Sequence, residues 1–362
     1  MDLRKPMLAG CGCCPPLGLS RRNLLGAAAG AAASALVCDT PAMAAAPAKG
    51  KGIIDVHHHL VPPFYLQENR ERIAASRGGS ISPEWLSWSP EIAIETMDQH
   101  GIETGILSYS SPGIWFGKAD ESRTMARRCN EYAIELEQKH KGRFGLFATI
   151  PLPDTEGSLK EIEYALDTLK ADGIGIFTSY PEGWLGDPKF DPVFQELNRR
   201  KAVVFVHPTT PNCCRTLLKD VPPLVNEVTV DTSRTITNLL FTGALNRFRD
   251  IKFIFCHGGG TIPMVWGRMQ GQAPADIAQK VPEGIENALK RLHYDIAGTT
   301  YKPAIAALKT LVPTSQILFG SDNPFVPLKE TAGGYPNVGF TKREMKAISR
   351  DNAIRLLPRL AT

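Results

Sequence analysis

Residues 53–60 have the sequence Ile53-Ile54-Asp55-Val56-His57-His58-His59-Leu60. The apolar β-branched residues predict a buried strand, in which successive side chains point to opposite faces. Asp55, His57 and His59 therefore share one face. Two imidazoles two residues apart at a strand end can bind one metal ion. A cluster of surface histidines, or of hydrogen-bonded buried ones, would give the same local pattern, so the stretch alone leaves both interpretations open.

Short apolar, β-branched segments alternate with amphipathic helical segments from about residue 52 onward. This alternation predicts parallel strands joined by crossover helices. Eight strands are predicted, at Gly52–His57, Thr104–Tyr109, Gly145–Ile150, Gly173–Thr178, Val203–His207, Lys252–His257, His293–Ala297 and Gln316–Gly320. Predicted helices include Ile92–Gln99, Glu121–Lys139, Leu159–Ala171, Thr232–Leu245, Tyr301–Leu311 and Lys342–Leu357. The sequence therefore predicts one (β/α)8 TIM barrel over residues 45–362, with an active-site insertion at about residues 61–90.

Polar side chains end several of the predicted strands. His57, His207 and His257 each end one, and Asp322 follows the last. The carboxyl ends of all strands in such a barrel meet at one mouth, so these side chains are expected to converge. Three imidazoles and one carboxylate, from His57, His59, His207 and Asp322, would suit a divalent metal. Taken singly, a strand-end histidine is more often structural, and Asp322 could instead cap a helix.

His257 is followed by three glycines, Gly258-Gly259-Gly260. Glycines let a backbone approach a ligand closely, although they could also serve only to form a tight turn. We assign His257 to general acid/base catalysis or to a hydrogen bond with the substrate, and not to the metal.

The first 44 residues differ in kind from the rest. A basic segment that ends in Ser20-Arg21-Arg22-Asn23-Leu24-Leu25 precedes an apolar Ala/Gly/Leu run, and Ala42-Met43-Ala44 offers a small-residue cleavage site. This order resembles a twin-arginine export signal, so we expect residues 1–44 to be removed and the mature protein to be periplasmic or otherwise exported. The run is too short and too rich in Ala and Gly for a membrane span, and none is expected in the mature chain. An N-terminal extension of a cytoplasmic enzyme is the alternative.

The charge and cysteine content of the chain indicate which classes of partner and which covalent links to expect. The net charge of the 362-residue chain is only +4, with Lys and Arg scattered among acidic residues, so nucleic acid is not an expected partner and a small molecule is. Of eight cysteines, four lie in the predicted signal. The remaining Cys129, Cys213, Cys214 and Cys256 form no disulfide framework, although adjacent Cys213 and Cys214 could pair after export.

Four ordered motifs resemble the amidohydrolase superfamily, in the branch that contains aminocarboxymuconate-semialdehyde decarboxylase. They are Asp55-x-His57-x-His59, His207-Pro208, His257-Gly258-Gly259-Gly260 and Gly320-Ser321-Asp322-x-Pro324-Phe325. The segments Leu185–Pro192 and Tyr294–Gly298 look most like the 6-methylsalicylate decarboxylases. The resemblance runs from about Ile53 to Leu357. It implies a barrel of the metal-dependent hydrolase type and non-oxidative loss of carbon dioxide from an unsaturated or aromatic acid.

Residue by residue, the resemblance implies that His57, His59, His207 and Asp322 hold one divalent ion, zinc or alternatively manganese. Asp55 is a further candidate ligand, and His257 would be the catalytic histidine together with Asp322. Binuclear members of the superfamily have a lysine at the end of strand four. Here that strand ends in Phe177-Thr178-Ser179-Tyr180, which favours one metal.

The resemblance also implies the substrate contacts. Arg268 matches a family arginine that reaches a substrate carboxylate from the neighbouring subunit, so a homodimer is expected. A second arginine of the muconate enzyme is missing from residues 80–91, which hold Trp85 and Trp88 instead. This departure favours an aromatic monocarboxylic acid over a dicarboxylate, with Trp88 and Tyr180 as candidate apolar contacts.

The expected reaction is protonation of the ring carbon that bears the carboxylate, followed by loss of carbon dioxide. Asp322 could deliver the proton. His257 could then either tune Asp322 for this role or relay the proton from water. Two rivals remain: a metal-dependent hydrolase of a lactone or amide, and a periplasmic binding protein that has kept the barrel without turnover.

Overall fold

The apolar segments between the amphipathic helices form the strands of the structure, a computed structural model that describes residues 52–361 apart from 77, 78, 182 and 216. The predicted signal at residues 1–44 lies outside the described residues. The strands are β1 (Ile53–His59), β2 (Ile102–Ser108), β3 (Phe144–Thr149), β4 (Gly173–Phe177), β5 (Ser179–Tyr180), β6 (Gly183–Trp184), β7 (Val203–His207), β8 (Lys252–Phe255), β9 (His293–Asp295) and β10 (Ile317–Leu318).

Eight of these strands form one parallel sheet in the order β1-β2-β3-β4-β7-β8-β9-β10. Strands β5 and β6 form a separate antiparallel hairpin just after β4. The last strand returns to the first, because the amide of Val56 donates to the carbonyl of Phe319 over 3.0 Å and that of Asp322 donates to His57 over 2.8 Å. The sheet is a nearly closed barrel, which confirms the predicted (β/α)8 fold. All eight predicted barrel strands are present, with ends shifted by up to two residues.

The helices that surround the strands are α1 (Pro63–Ser76), α2 (Pro83–Ser87), α3 (Pro90–Gln99), α4 (Ala119–Lys139), α5 (Thr155–Glu163), α6 (Asp191–Arg199), α7 (Glu227–Phe241), α8 (Ala244–Arg247), α9 (Ile262–Gly271), α10 (Ile277–Lys280), α11 (Ile285–Lys290), α12 (Lys302–Leu311), α13 (Leu328–Gly334), α14 (Lys342–Lys346) and α15 (Asn352–Leu356). Among the described residues, none of the helices combines the length and apolar character that a membrane crossing needs.

The core has two layers, one inside the barrel and one between the strands and the surrounding helices. Inside the barrel, the rings of Phe147 and Phe205 stack with their centroids 5.2 Å apart. Full burial of such a ring contributes about 1.5–3 kcal/mol to stability. Phe205 also lies edge-on to His57, with centroids 5.1 Å apart, so an apolar floor supports the strand ends from below.

The segment after β1, where an insertion is predicted, forms helices α1 and α2. Helices α1 and α2 bury Tyr65 and Trp85. The Tyr65 hydroxyl donates to the carbonyl of Gly113 over 2.6 Å, which ties the insertion to the loop after β2. The segment at residues 61–90 is therefore fixed to a loop that follows a strand end.

The cysteines of the barrel are free thiols. Cys129, Cys214 and Cys256 are buried, and Cys213 is exposed. Adjacent Cys213 and Cys214 are therefore unpaired in the structure.

Candidate metal centre and active site

The predicted ligands do converge at the barrel mouth. His57 and His59 come from the end of β1, His207 ends β7, and Asp322 follows β10. Each offers one ligand atom, and these atoms all lie within 4.8 Å of one another. Two more contacts tighten the group: Asp322 Oδ1 lies 3.0 Å from His59 Nε2 and 3.3 Å from His57 Nε2.

The imidazoles of His59 and His207 are oriented by backbone carbonyl groups. His59 Nδ1 lies 3.1 Å from the carbonyl oxygen of Ser108, and His207 Nδ1 lies 2.7 Å from that of Pro208. A carbonyl can only accept, so each Nδ1 carries the proton and each Nε2 keeps its lone pair. The buried Nε2 of His207 has no hydrogen-bond partner among the described residues. A buried nitrogen left in this state needs a ligand, and a metal ion fits that need.

Asp295 orients the third imidazole, which the sequence argument did not anticipate. Its Oδ2 lies 2.9 Å from Nδ1 of His57, and its Oδ1 accepts the backbone amides of His257 over 2.9 Å and Ala297 over 3.0 Å. The carboxylate is fully buried. It therefore sets the tautomer of His57 and, through the backbone, the position of His257. The feature of the sequence that could have pointed to Asp295 is its position at the end of β9.

Charge distribution at the site favours metal binding. Burial lowers the pKa of His59 and of His207, so both are neutral and able to ligate. Burial also acts to lower the pKa of His57, but the neighbouring Cys256, Asp295 and Asp322 raise it well above its usual value, so a metal ion would have to displace a proton from this ring. Burial acts to raise the pKa of Asp322, but the charge of His57 and close contacts with the imidazoles of His257, His57 and His59 hold it well below its usual range. Asp322 is therefore a carboxylate at neutral pH.

His257 lies beside Asp322 and outside the ligand group. Its Nε2 is 3.4 Å from Asp322 Oδ2, while Oδ1 of the same carboxylate faces the ligand histidines. Both residues have backbone φ angles in the left-handed region, +56° and +65°, which are unfavourable for residues with a side chain. Strain of this kind persists where the surroundings hold a residue in place, and here it aims both side chains into the mouth.

The three glycines after His257 form a tight turn. Gly258, Gly259 and Gly260 all have positive φ angles between 62° and 77°. A Cβ at Gly260 would lie 2.1 Å from the carbonyl oxygen of Thr229, so no other residue fits there without movement of the backbone. The glycines thus serve the turn, the alternative considered above, and the turn places the His257 side chain.

Asp55 is not part of the ligand group. It is fully buried and accepts hydrogen bonds from the amide of His57 over 3.1 Å and from His58 Nδ1 over 3.0 Å. It also accepts from the amide of Ser321 over 3.0 Å. A shift of register between Asp55 and His58 breaks the strict alternation of the strand. Asp55 therefore joins β1 to the segment that carries Asp322.

A cavity of about 830 Å³ lies near the ligand group, although its lining residues include none of the four candidate ligands. Its lining includes Phe177 and Tyr180, and the Phe177 ring lies edge-on to His207 with centroids 6.0 Å apart. Tyr180, a predicted substrate contact, thus faces the cavity. Its cationic lining residues are Arg72, which is ion-paired with Glu121 over 3.0 Å, and Arg215.

The other two predicted substrate contacts are not among the residues that line this cavity. Arg268 is exposed on α9, and Trp88 is buried in the core. Trp85 has the closer connection to the ligands, because its ring packs against Phe325 at 5.1 Å and Phe325 packs against His59 at 5.3 Å. The packing of irregular segments decides which tryptophan faces inward, and no periodicity in the sequence records it.

The chain is similar over nearly all of its barrel to a known family. A family model described as amidohydrolase matches residues 54–359. The decarboxylase yanB of Aspergillus niger is 36% identical over 327 residues, which is 84% of this chain and 87% of the relative. The 6-methylsalicylic acid decarboxylase acuB of Aspergillus aculeatus is 34% identical and covers 85% of this chain and 96% of its own.

Solved structures share the fold. One is a 5-carboxyvanillate decarboxylase of Novosphingobium aromaticivorans with bound manganese and 3-methoxy-4-hydroxy-5-nitrobenzoic acid. It superimposes with a TM-score of 0.76 at 22% identity, over 85% of this chain and 97% of that one. At this identity the similarity establishes the barrel architecture.

Proposed function

Because this chain belongs to the amidohydrolase family, we propose that it is a divalent-metal-dependent decarboxylase of aromatic carboxylic acids. The observation that carries the proposal is the convergence of the Nε2 atoms of three histidines and the Asp322 carboxylate beside His257. Relatives that are 34–36% identical over most of the chain are decarboxylases, two of them of 6-methylsalicylic acid. Hydroxybenzoates of this kind are the proposed substrate class.

The residues present fit one divalent ion. His57, His59, His207 and Asp322 would hold it through three imidazole nitrogens and one carboxylate oxygen, and the ion would displace the Nε2 proton of His57. This donor set suits zinc, and manganese is the alternative. When bound, such an ion acts as a Lewis acid that stabilises negative charge on substrate oxygens and fixes their position.

The chain's own groups supply the proton. We assign its transfer to the ring carbon bearing the carboxylate to the His257–Asp322 pair, whose Nε2 and Oδ2 atoms are 3.4 Å apart. Because Asp322 is ionised at rest, a proton on His257 Nε2 would be shared with it. Once the carbon is protonated, the bond to the carboxylate breaks, its electron pair restores the aromatic ring, and carbon dioxide leaves.

Purified, metal-loaded protein offered a panel of hydroxybenzoates and small lactones, with products identified by mass, tests this function. Loss of 44 mass units from a hydroxybenzoate is the expected outcome, since carbon dioxide alone leaves. Addition of water to a lactone, with every benzoate untouched, would assign the protein to the hydrolases.

We also propose that the protein is a homodimer in which Arg268 contacts the substrate of the neighbouring subunit. Met264 and Arg268 lie one turn apart on α9, and both are exposed, Met264 by 76%. The segment at residues 217–225 also exposes five apolar side chains, those of Leu217, Leu218, Val221, Leu224 and Val225. Clustered exposed apolar side chains mark an interface in many proteins. Sedimentation analysis that finds only monomer at micromolar concentration would overturn the proposal.

For localisation, we propose export through the twin-arginine route. The support is the order of basic, apolar and small-residue segments in residues 1–44. Since that route carries folded proteins, the metal would be bound before export.

A further inference from the structure

A second buried carboxylate, Asp231, lies behind the wall of the cavity. Asp231 is on α7 and is fully buried. Among the described residues, no lysine or arginine forms an ion pair with it; the nearby Arg234 pairs instead with Glu227 over 3.4 Å. A buried carboxylate without a cationic partner is costly, so its neighbours must account for its presence.

Those neighbours belong to one short segment of chain. Trp184 Nε1 donates to Asp231 Oδ1 over 2.6 Å, Ser179 Oγ donates to Oδ2 over 3.0 Å, and the Thr178 hydroxyl makes a short bond to the same oxygen. Burial raises the pKa of Asp231, and these three hydrogen bonds act against that rise. The carboxylate is therefore held by neutral donors at the base of the β5–β6 hairpin.

The donors are parts of the cavity wall. Ser179 and Trp184 line the cavity and face each other as a pair in the hairpin. Thr178 links the wall to the turn after His207, because its hydroxyl accepts the backbone amide of Thr209 over 3.1 Å, and Thr209 also lines the cavity. One carboxylate thus joins two segments that border the same space.

We propose that Asp231 is a positioning residue for the substrate: by holding Trp184, Ser179 and, through Thr178, Thr209, it fixes the wall against which the aromatic ring of the substrate lies. The inference rests on the proposed decarboxylase function for the identity of the substrate. None of the three hydrogen-bond partners of Asp231 is one of the four candidate metal ligands. Loss of Asp231 should therefore weaken substrate binding and leave metal binding intact.

The first test compares Asp231→Ala with wild type, using 6-methylsalicylate and metal-loaded protein. The expected result is a KM raised about 10-fold or more with kcat within about threefold, the pattern of lost binding that is equal in ground and transition states. Metal content should equal that of wild type. The KM of Asp231→Asn should lie between those of wild type and Asp231→Ala, because its amide oxygen can still accept a hydrogen bond from Trp184. An unchanged KM in Asp231→Ala would overturn the proposal.

Glu161→Ala is the matched control. Glu161 is also a buried helix carboxylate, accepting from Asn130 over 2.9 Å and pairing with Arg127 over 3.0 Å, but it does not line the cavity. It should lower stability without a change in KM. If Asp231→Ala does not fold, Trp184→Phe carries the test, because it removes the N–H donor to Asp231 and keeps a smaller aromatic ring in the wall; it should raise KM, and an unchanged KM would count against the proposal.

A readout without substrate separates this inference from the proposed function. Hydrogen exchange of the full chain should be faster at residues 179–185 in Asp231→Ala, or in Trp184→Phe, and unchanged there in Glu161→Ala. Equal exchange at this hairpin in all variants would refute the positioning role. Failure of wild type to consume 6-methylsalicylate would count against the function alone, and the exchange result would still decide the role of Asp231.

Discussion

Replacing Asp295 by asparagine tests how the site selects the metal-binding form of His57. In wild type, Asp295 Oδ2 accepts the Nδ1 proton of His57, while Oδ1 accepts the amides of His257 and Ala297. The asparagine oxygen can serve the two amides, but its NH2 group then faces Nδ1. The asparagine NH2 and the Nδ1–H of His57 are both donors and cannot form a hydrogen bond with each other. His57 must therefore move its proton to Nε2, the atom that should bind the metal.

The size of the effect follows from what is lost. A hydrogen bond to a charged group contributes about 1.5–3 kcal/mol, and loss of such support behind a ligand typically lowers metal affinity about 10–100-fold. We therefore expect Asp295→Asn to fold and to bind zinc or manganese about 10–100-fold more weakly. Competition with a chelator of known affinity measures this directly, and circular dichroism verifies the fold.

Asp172→Asn provides the control. Asp172 is equally hidden, with a side chain 2% exposed, but it pairs with Arg359 over 2.6 Å and lies outside the ligand group. It should lose stability and keep wild-type metal affinity. A folded Asp295→Asn protein with wild-type affinity would refute the argument, because it would show that this carboxylate does not control the His57 tautomer.

Three further predictions concern the site and the signal. His207→Ala should lose both metal and activity, as metal analysis by mass spectrometry would show, because His207 supplies one of only four ligand groups; full occupancy would contradict its assignment. His257→Ala should keep its metal while kcat falls by about 10²–10⁴, the range for lost acid/base help; metal loss in this variant would make His257 a ligand. Changing Arg21 and Arg22 to lysine should leave precursor in the cytoplasm on fractionation, whereas unchanged export would exclude the twin-arginine route.

The sequence was most informative where side chains are tied to strand ends. His57, His207 and Asp322 could be placed at one mouth because the barrel fixes the direction of every strand, and the structure brings them together. Strand ends shifted by a few residues without effect on this inference. The alternation rule succeeded for His57 and His59 and did not extend to Asp55, where the register shift turns the carboxylate toward His58 and Ser321.

The sequence did not predict residues whose role depends on hydrogen bonds between distant strands and helices. Asp295 could have been suspected, since it ends β9 as His257 follows β8. Asp231 gave no signal, because a polar residue within a helix is usually solvated, and only the fold shows that the hairpin at residues 179–184 covers it. Which of Trp85 and Trp88 approaches the site likewise depends on packing of an irregular segment.

The most direct test of the proposed decarboxylase is turnover of 6-methylsalicylate by the metal-loaded wild type in deuterated water. The account predicts release of carbon dioxide and one deuterium on the ring carbon that had held the carboxylate, because protonation of that carbon is the step that lets carbon dioxide leave. Both signals should disappear when the metal is removed by a chelator and return when it is restored. A hydrolysed product without carbon dioxide from the lactone panel, with the hydroxybenzoates untouched, would contradict the account.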